Sequence, residues 1–310
     1  MSCENYKQLQ SRSVTVDKIL KSSDGNSAKL VQITKSEGFT TIESGRYEVD
    51  GESVVCLSTQ IGCGMCCGFC RSTEPFEFYP GQPKRIIRSL DSKEIVDQAI
   101  NSLESVPTPS TSNGIIFSFM GMGEPFANIR AVKESIIQLG KLYPRSRATL
   151  STIGFNLQQI LQLGKEVVEG VYPIPIKLHI SLHASNDSQR AKLMPHTSPI
   201  LETVETAEKY AEMTGTRVKL NYVLVRGFND TDADVQRLSE LLKDRKGFVL
   251  KISDLNSTNQ DAVLSSSEAD LFESRLNDLR VETCRFSSDG QDILAGCGEL
   301  VKGKTIPDIS

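Results

Sequence analysis

The chain has 310 residues, of which 38% are hydrophobic and 24% charged, and its net charge is −4. This is the composition of a globular protein, and no run approaches the roughly 18 apolar residues of a membrane span. The negative balance excludes bulk positive charge as the basis of a grip on nucleic acid, leaving only a local patch such as Lys84, Arg85 and Arg88. Met1-Ser2-Cys3-Glu4-Asn5 lacks the basic-then-apolar order of a secretory signal, so no membrane association and a cytoplasmic location are expected.

Residues 1–28 are polar and weakly patterned, with a turn at Ser22-Ser-Asp-Gly-Asn26. Short strands rich in Val, Ile and Thr are expected near 29–34, 39–43 and 53–58. Beyond them, apolar runs begin at Gly114, Ala148, Ile176, Val218 and Phe248. Amphipathic segments at 92–105, 128–142, 155–168, 200–214, 231–245 and 266–279 read as helices. Thr231-x-x-Asp234 and Ser265-x-x-Glu268 have the form of capping boxes. Strands alternating with helices imply βαβ units and a parallel sheet, about six units in all. In such folds the chemistry gathers where the strands end.

Eight cysteines are present, five of them between Cys56 and Cys70. So tight a group in a chain of this length points to a metal centre or redox chemistry rather than a disulfide scaffold. Cys63, Cys67 and Cys70 form a C-x-x-x-C-x-x-C loop. Three thiolates suit an iron–sulfur cluster with one iron left open to a small chelating molecule. Gly62, Gly64 and Gly68 would let a short loop wrap the cubane. A zinc site with Cys56 or Cys66 as fourth ligand is the alternative, and the lack of a second C-x-x-C knuckle weighs against it. Cys66 leaves a second register open, since 63, 66 and 70 also form a compact triple.

The spacing resembles the radical SAM signature, and its surroundings resemble one subfamily, the RlmN/Cfr-like RNA adenosine methyltransferases. Seven motifs stand in order, from Cys56-Leu-Ser-Thr-Gln-Ile-Gly-Cys63 and Met120-Gly-Met-Gly-Glu-Pro125 with Asn128, through Leu150-Ser-Thr-Ile-Gly154 and Ile180-Ser-Leu-His-Ala184. Asn229-Asp230, Asn256 and Ala295-Gly-Cys297-Gly298 complete the set.

The resemblance implies an α/β fold, a partial (β/α)6 radical SAM barrel over residues 51–310 with a small β extension over 1–50. It implies a [4Fe–4S] cluster on Cys63, Cys67 and Cys70, with S-adenosylmethionine contacted by Gly123, Glu124, Ser151, Ser181, His183 and Asn256. An electron donor such as flavodoxin or ferredoxin would serve the cluster. In the implied chemistry Cys297 is methylated, the methyl is activated by a deoxyadenosyl radical, and its carbon joins an adenine ring. Glu43 would remove the ring proton, and Cys56 would attack the Cys297 sulfur, releasing product and leaving a disulfide. The acceptor would be an adenosine of ribosomal or transfer RNA, carbon 2 before carbon 8.

Three departures touch the substrate rather than the chemistry. Cys56 comes early, so the family's N-terminal helical domain is expected to be missing or reduced to about 30 residues; Arg71–Pro80 differs from the usual pattern; and Cys66 is an addition. A small-molecule or peptide acceptor, or a non-catalytic metal-bearing RNA-binding module, is therefore kept as an alternative.

Overall fold

The computed structural model describes residues 12–35, 40–73, 86–109, 112–256, 263–264 and 266–300. Lys84, Arg85, Ser265 and residues 74–80 lie outside them. The chain divides into two units, one of residues 1–64, 71–147 and 289–310, the other of 65–70 and 148–288.

In the first unit, β1 (Val14–Lys21), β2 (Ser27–Thr34), β3 (Thr40–Val49) and β4 (Glu52–Cys56) are joined antiparallel in chain order. The predicted turn at 22–26 links β1 to β2, with Gly25 at φ 74°. β1 was not expected, because its exposed edge alternates Thr, Asp and Lys with few buried positions. A short pair follows, β5 (Gln60–Gly62) with β6 (Ile86–Ser89), and β7 (Ile115–Phe119) then lies parallel to β4. Leu30, Ile42, Val55, Phe117 and Phe119 are fully buried at its core.

Helix α1 (Ser92–Ser105) opens on a capping box in which Asp91 accepts from the Glu94 amide and Glu94 from the Asp91 amide. It docks on the extension through buried polar groups. Asn101 Nδ2 donates to the Val14 carbonyl at 3.0 Å and to Gln32 Oε1 at 2.8 Å. Asp97 accepts from the Ser13 amide at 2.6 Å, and Arg12 reaches both Asn101 and Glu104. Arg88, proposed as part of a basic patch, forms a double hydrogen bond with Glu94 at 2.6 Å.

Helix α2 (Ile129–Leu142) buries Val132, Ile136 and Leu139, the 3–4 spacing expected of an amphipathic helix.

The second unit is a parallel sheet of β8 (Arg147–Thr152), β9 (Ile176–Ser181), β10 (Val218–Val223), β11 (Phe248–Ser253) and β12 (Thr283–Phe286), neighbouring in chain order. Its helices are α3 (Leu157–Val168), α4 (Asp187–Leu193), α5 (Ile200–Thr214), α6 (Asp232–Leu242) and α7 (Ser266–Asp278). The capping box predicted at Thr231 and Asp234 opens α6. β12 and α4 escaped the sequence reading, being four and seven residues long with little apolar pattern.

Alternation sorts this sheet into two faces. Leu150, Leu178, Ile180, Leu220, Tyr222, Leu250 and Ile252 are buried on one. Thr149, Ser151, His179, Ser181, Asn221 and Lys251 occupy the other, in register with one another. The expected α/β architecture, with parallel strands and helices between them, is what the chain adopts.

Candidate active site

In the first unit a row of four residues crosses four strands: Lys29 pairs with Gly45, Gly45 with Cys56, and Cys56 with Ser118. Cys56 ends β4 and is buried. Burial, with Cys297 nearby, pushes its thiol up to about 12. Cys297 is exposed, and its Sγ lies 3.5 Å from Met120 Sδ. No disulfide joins Cys56 to Cys297.

Glu43 on β3 is buried, with Lys29 Nζ 3.4 Å from its carboxylate. Its carbonyl accepts from Ser58 Oγ at 2.6 Å, which ties β3 to the segment after Cys56.

The loop after β7 is laced to that same segment. Ser58 Oγ accepts from the Met122 amide at 2.9 Å, Thr59 N donates to the Met122 carbonyl at 2.8 Å, and Gln60 Oε1 accepts from the Glu124 amide at 3.0 Å. A Cβ at Gly121 would fall 2.7 Å from backbone atoms of Leu57 and Ser58, so only glycine lets the two chains approach. Glu124 is buried and caps a short turn by accepting from the Phe126 amide. Asn128 Nδ2 reaches the carbonyls of Thr59 and Leu90.

In the second unit, residues 65–70 dock on the segment that follows β9. The Gly68 amide donates to the Leu193 carbonyl at 2.9 Å, and the Phe69 ring meets His183 edge-on at 4.8 Å. Cys67 is buried, Cys70 is half-buried with its amide on the Cys67 carbonyl, and Cys66 is half-buried at φ 55°. In the first unit Cys63 is buried. Among the described residues, no three His, Cys, Asp or Glu side chains are gathered at the spacing of a single-ion site.

His183, also at a positive φ, accepts the Val223 amide on Nδ1 at 3.0 Å. Burial, then the Arg190 charge, lowers it to about 3, so at neutral pH it is an imidazole whose proton sits on Nε2. Asn229 fixes that turn, donating to the carbonyls of His183 and Val223 and accepting from the Val225 amide.

Ser151 Oγ is buried with no hydrogen-bond partner, an orphan on the polar face that also carries Ser181. Asn256 Nδ2 donates to Ser288 Oγ at 3.0 Å.

Arg190 was missed from the sequence, since it lies on the unpredicted helix α4. Its buried guanidinium donates to the carbonyls of Ser181, Leu182, Ile153 and Ser198, and its charge is felt at Cys67.

A measurable consequence follows for the two thiols. At pH 8 the thiolate fraction at Cys56 is about 10⁻⁴, against about 0.1 for an ordinary cysteine. Iodoacetamide at pH 8 should therefore modify Cys297 far faster than Cys56, with Cys56 accelerating about tenfold per pH unit up to pH 10. Peptide mass spectrometry reads both rates, and equal rates at pH 8 would contradict the placement.

The sequence pattern of the Radical SAM superfamily matches residues 57–239. "Dual-specificity RNA methyltransferase RlmN" of Syntrophotalea carbinolica is 33% identical over 91% of this chain and 71% of its own length. "Probable dual-specificity RNA methyltransferase RlmN" of Dictyoglomus turgidum is 32% identical over 97% of this chain and 85% of its own. The crystal structure of a radical SAM methyltransferase from Sphaerobacter thermophilus superposes with a TM-score of 0.80 at 28% identity, covering 97% of this chain and 86% of that one.

Proposed function

Because the chain belongs to the radical SAM superfamily and, within it, to the RlmN family of methyltransferases, we propose that it methylates an adenosine base of ribosomal or transfer RNA, at carbon 2 in preference to carbon 8, with Cys297 as the methyl carrier. The observation that supports this most is the pair of unlike thiols, exposed Cys297 beside Met120 and buried Cys56 in the sheet. A methyltransferase moving its methyl directly from sulfonium to acceptor needs neither.

Cys63, Cys67 and Cys70 are the residues proposed to hold a [4Fe–4S] cluster. The donor set fits, being three thiols with no histidine or carboxylate in the loop. Gly123, Glu124, Ser151, Ser181, His183 and Asn256 are proposed to contact S-adenosylmethionine. The orphaned hydroxyl of Ser151 and the Nε2–H of neutral His183 fit a ligand with polar groups of its own. When bound, these two groups supply the methyl and the deoxyadenosyl radical that activates it.

The chain's own residues do the rest. Cys297 offers a sulfur that can be alkylated while exposed to an incoming base. Glu43, buried beside Lys29, accepts the proton leaving the ring. After the ring radical has given up one electron to the external redox couple, Cys56 releases its proton as its sulfur bonds to that of Cys297, and the carbon–sulfur bond breaks with its electron pair to the carbon, which takes up a proton to complete the methyl group. An external one-electron donor such as flavodoxin or ferredoxin is part of the proposal, as is a cytoplasmic location. No described helix is long and apolar enough to cross a membrane.

The test is anaerobic reconstitution with methyl-labelled S-adenosylmethionine, followed by mass spectrometry of the Cys297 peptide and of nucleosides from added RNA. Label on Cys297 and on adenosine supports the reading. Label on Cys297 with unlabelled RNA moves the acceptor elsewhere, and an unlabelled Cys297 sinks the carrier role.

A further inference from the structure

The loop that carries Cys297 leaves two consecutive backbone carbonyls to be satisfied, and both are taken by side chains of the N-terminal extension. Lys29 Nζ donates to the Leu294 carbonyl at 3.1 Å, and Tyr47 Oη donates to the Ala295 carbonyl. Both donors project from the same face of β2 and β3. Lys29 pairs with Gly45, while Tyr47 stands two residues beyond Gly45 on the same strand, so Glu43, Gly45 and Tyr47 share that face.

The space for this arrangement comes from one missing side chain. A Cβ at Gly45 would fall 2.5 Å from Cε2 and Cζ of Tyr47, so the phenol ring lies over Gly45 itself. Gly45 is the residue paired with Cys56 across β3 and β4. Directly opposed residues of an antiparallel pair have Cβ positions about 5 Å apart. A ring covering Gly45 is therefore against Cys56 on one side and under the Cys297 loop on the other.

Charges agree with that placement, since Cys56, Cys297, Glu299 and Glu43 all act on the Tyr47 hydroxyl. The loop touches the extension at two further points. The Ser23 amide donates to Asp292 at 2.8 Å, and a Cβ at Gly290 would stand 3.1 Å from Ser27 Cβ.

We propose that Lys29 and Tyr47 are positioning residues for Cys297, clipping the carbonyls of Leu294 and Ala295 so that its thiol is presented beside Met120 and above Cys56. The inference deepens the carrier reading of Cys297 and rests on it. It also gives the β extension a task in the chemistry, as the seat of the carrier loop. Each clip acts on a different carbonyl, and Lys29 in addition places its ammonium against Glu43, so loss of Lys29 disturbs two functions and loss of the Tyr47 hydroxyl only one.

Tyr47→Phe is the sharper variant, since it keeps the ring over Gly45 and deletes only the donor. Lys29→Gln is its companion. Two measurements on the full chain, without cluster or S-adenosylmethionine, decide the matter. The first is the iodoacetamide rate at Cys297. The second is the equilibrium of the Cys56–Cys297 disulfide in a dithiothreitol redox buffer, in which oxidised dithiothreitol takes up the two electrons.

Tyr47→Phe should raise the Cys297 rate several-fold and lower the disulfide equilibrium constant about tenfold, with a thermal midpoint lowered by only a few degrees. Lys29→Gln should shift both readouts in the same direction with a larger loss of stability, because Glu43 also loses its Lys29 partner. A Tyr47→Phe chain with wild-type alkylation and wild-type disulfide equilibrium overturns the proposal, even if Lys29→Gln fails to fold. The carrier reading fails separately, when the reconstituted wild type shows no methyl on Cys297. In that event a shifted alkylation rate still establishes the clip on the loop, and an unshifted one removes both.

Discussion

Cys56→Ala should leave methylation of Cys297 intact and abolish turnover, with the enzyme recovered joined to its acceptor through the Cys297 sulfur. A carbon held on Cys297 is released only when another nucleophile takes its place on that sulfur. Cys56 is the thiol lying in the sheet beneath the Cys297 loop. Its burial protects it from stray oxidants and alkylating agents while slowing ionisation, properties suited to a group that acts once per cycle. Multiple turnover should fall by at least about a thousandfold, the loss of a chemical step worth roughly 4 kcal/mol. A protein–nucleoside adduct in the mass spectrum of the nuclease-digested variant would confirm the step. Product released at the wild-type rate would remove Cys56 from it.

Gly121→Ala should be strongly damaging, because the added methyl group meets only backbone. The new carbon would meet the Leu57 carbonyl carbon and oxygen and the Ser58 nitrogen at 2.7 Å. These are backbone atoms held by the Gly121 to Leu57 and Ser58 to Met122 hydrogen bonds, so no side chain can rotate aside. Overpacking of this kind costs about 1–3 kcal/mol, and the broken lacing adds about 1 kcal/mol more. Glu124, proposed to contact S-adenosylmethionine, would move with the loop, so on that proposal affinity for S-adenosylmethionine should drop at least tenfold. Gly25→Ala is the control, because a Cβ there meets nothing within 4 Å and only the φ of 74° opposes it. Chemical denaturation of both variants, with S-adenosylmethionine titration, checks the contrast. Equal stability of the two would refute the close approach at 121.

The strands were legible in the sequence where they carry apolar runs, and so were the cysteine loop and the turn at 22–26. β1 was not, because an exposed edge strand alternates Asp and Lys with its few buried residues and resembles a loop. Helix α4 and strand β12 are too short for periodicity to register. The role of Arg190 was hidden with α4, since a buried cation satisfied by carbonyls has no partner residue to search for. Lys29 and Tyr47 were invisible for a related reason. A lysine or tyrosine on a strand normally marks solvent, and only the return of residues 290–297 over the sheet puts water out of reach. Glu43 shows the same limit, since its candidate role came only from the family resemblance while its burial emerged with the fold.

The way α1 docks on the extension has a bearing on how the chain could be shortened. A helix bound by grease can slide or be replaced by another greasy surface. Here the adhesive is directional: Asn101 recognises both Val14 and Gln32, Asp97 takes Ser13, and Ser44 joins Gln32 to Ser102. Removing β1 together with Arg12 and Ser13 would take Val14 from Asn101 and Ser13 from Asp97 at about 1–3 kcal/mol each, a sizeable share of the margin that keeps a domain folded. The N-terminal strand thus behaves as a keyed lid, matched to one helix, and trimming it is expected to unlock the half of the molecule that holds Cys56 and Cys297.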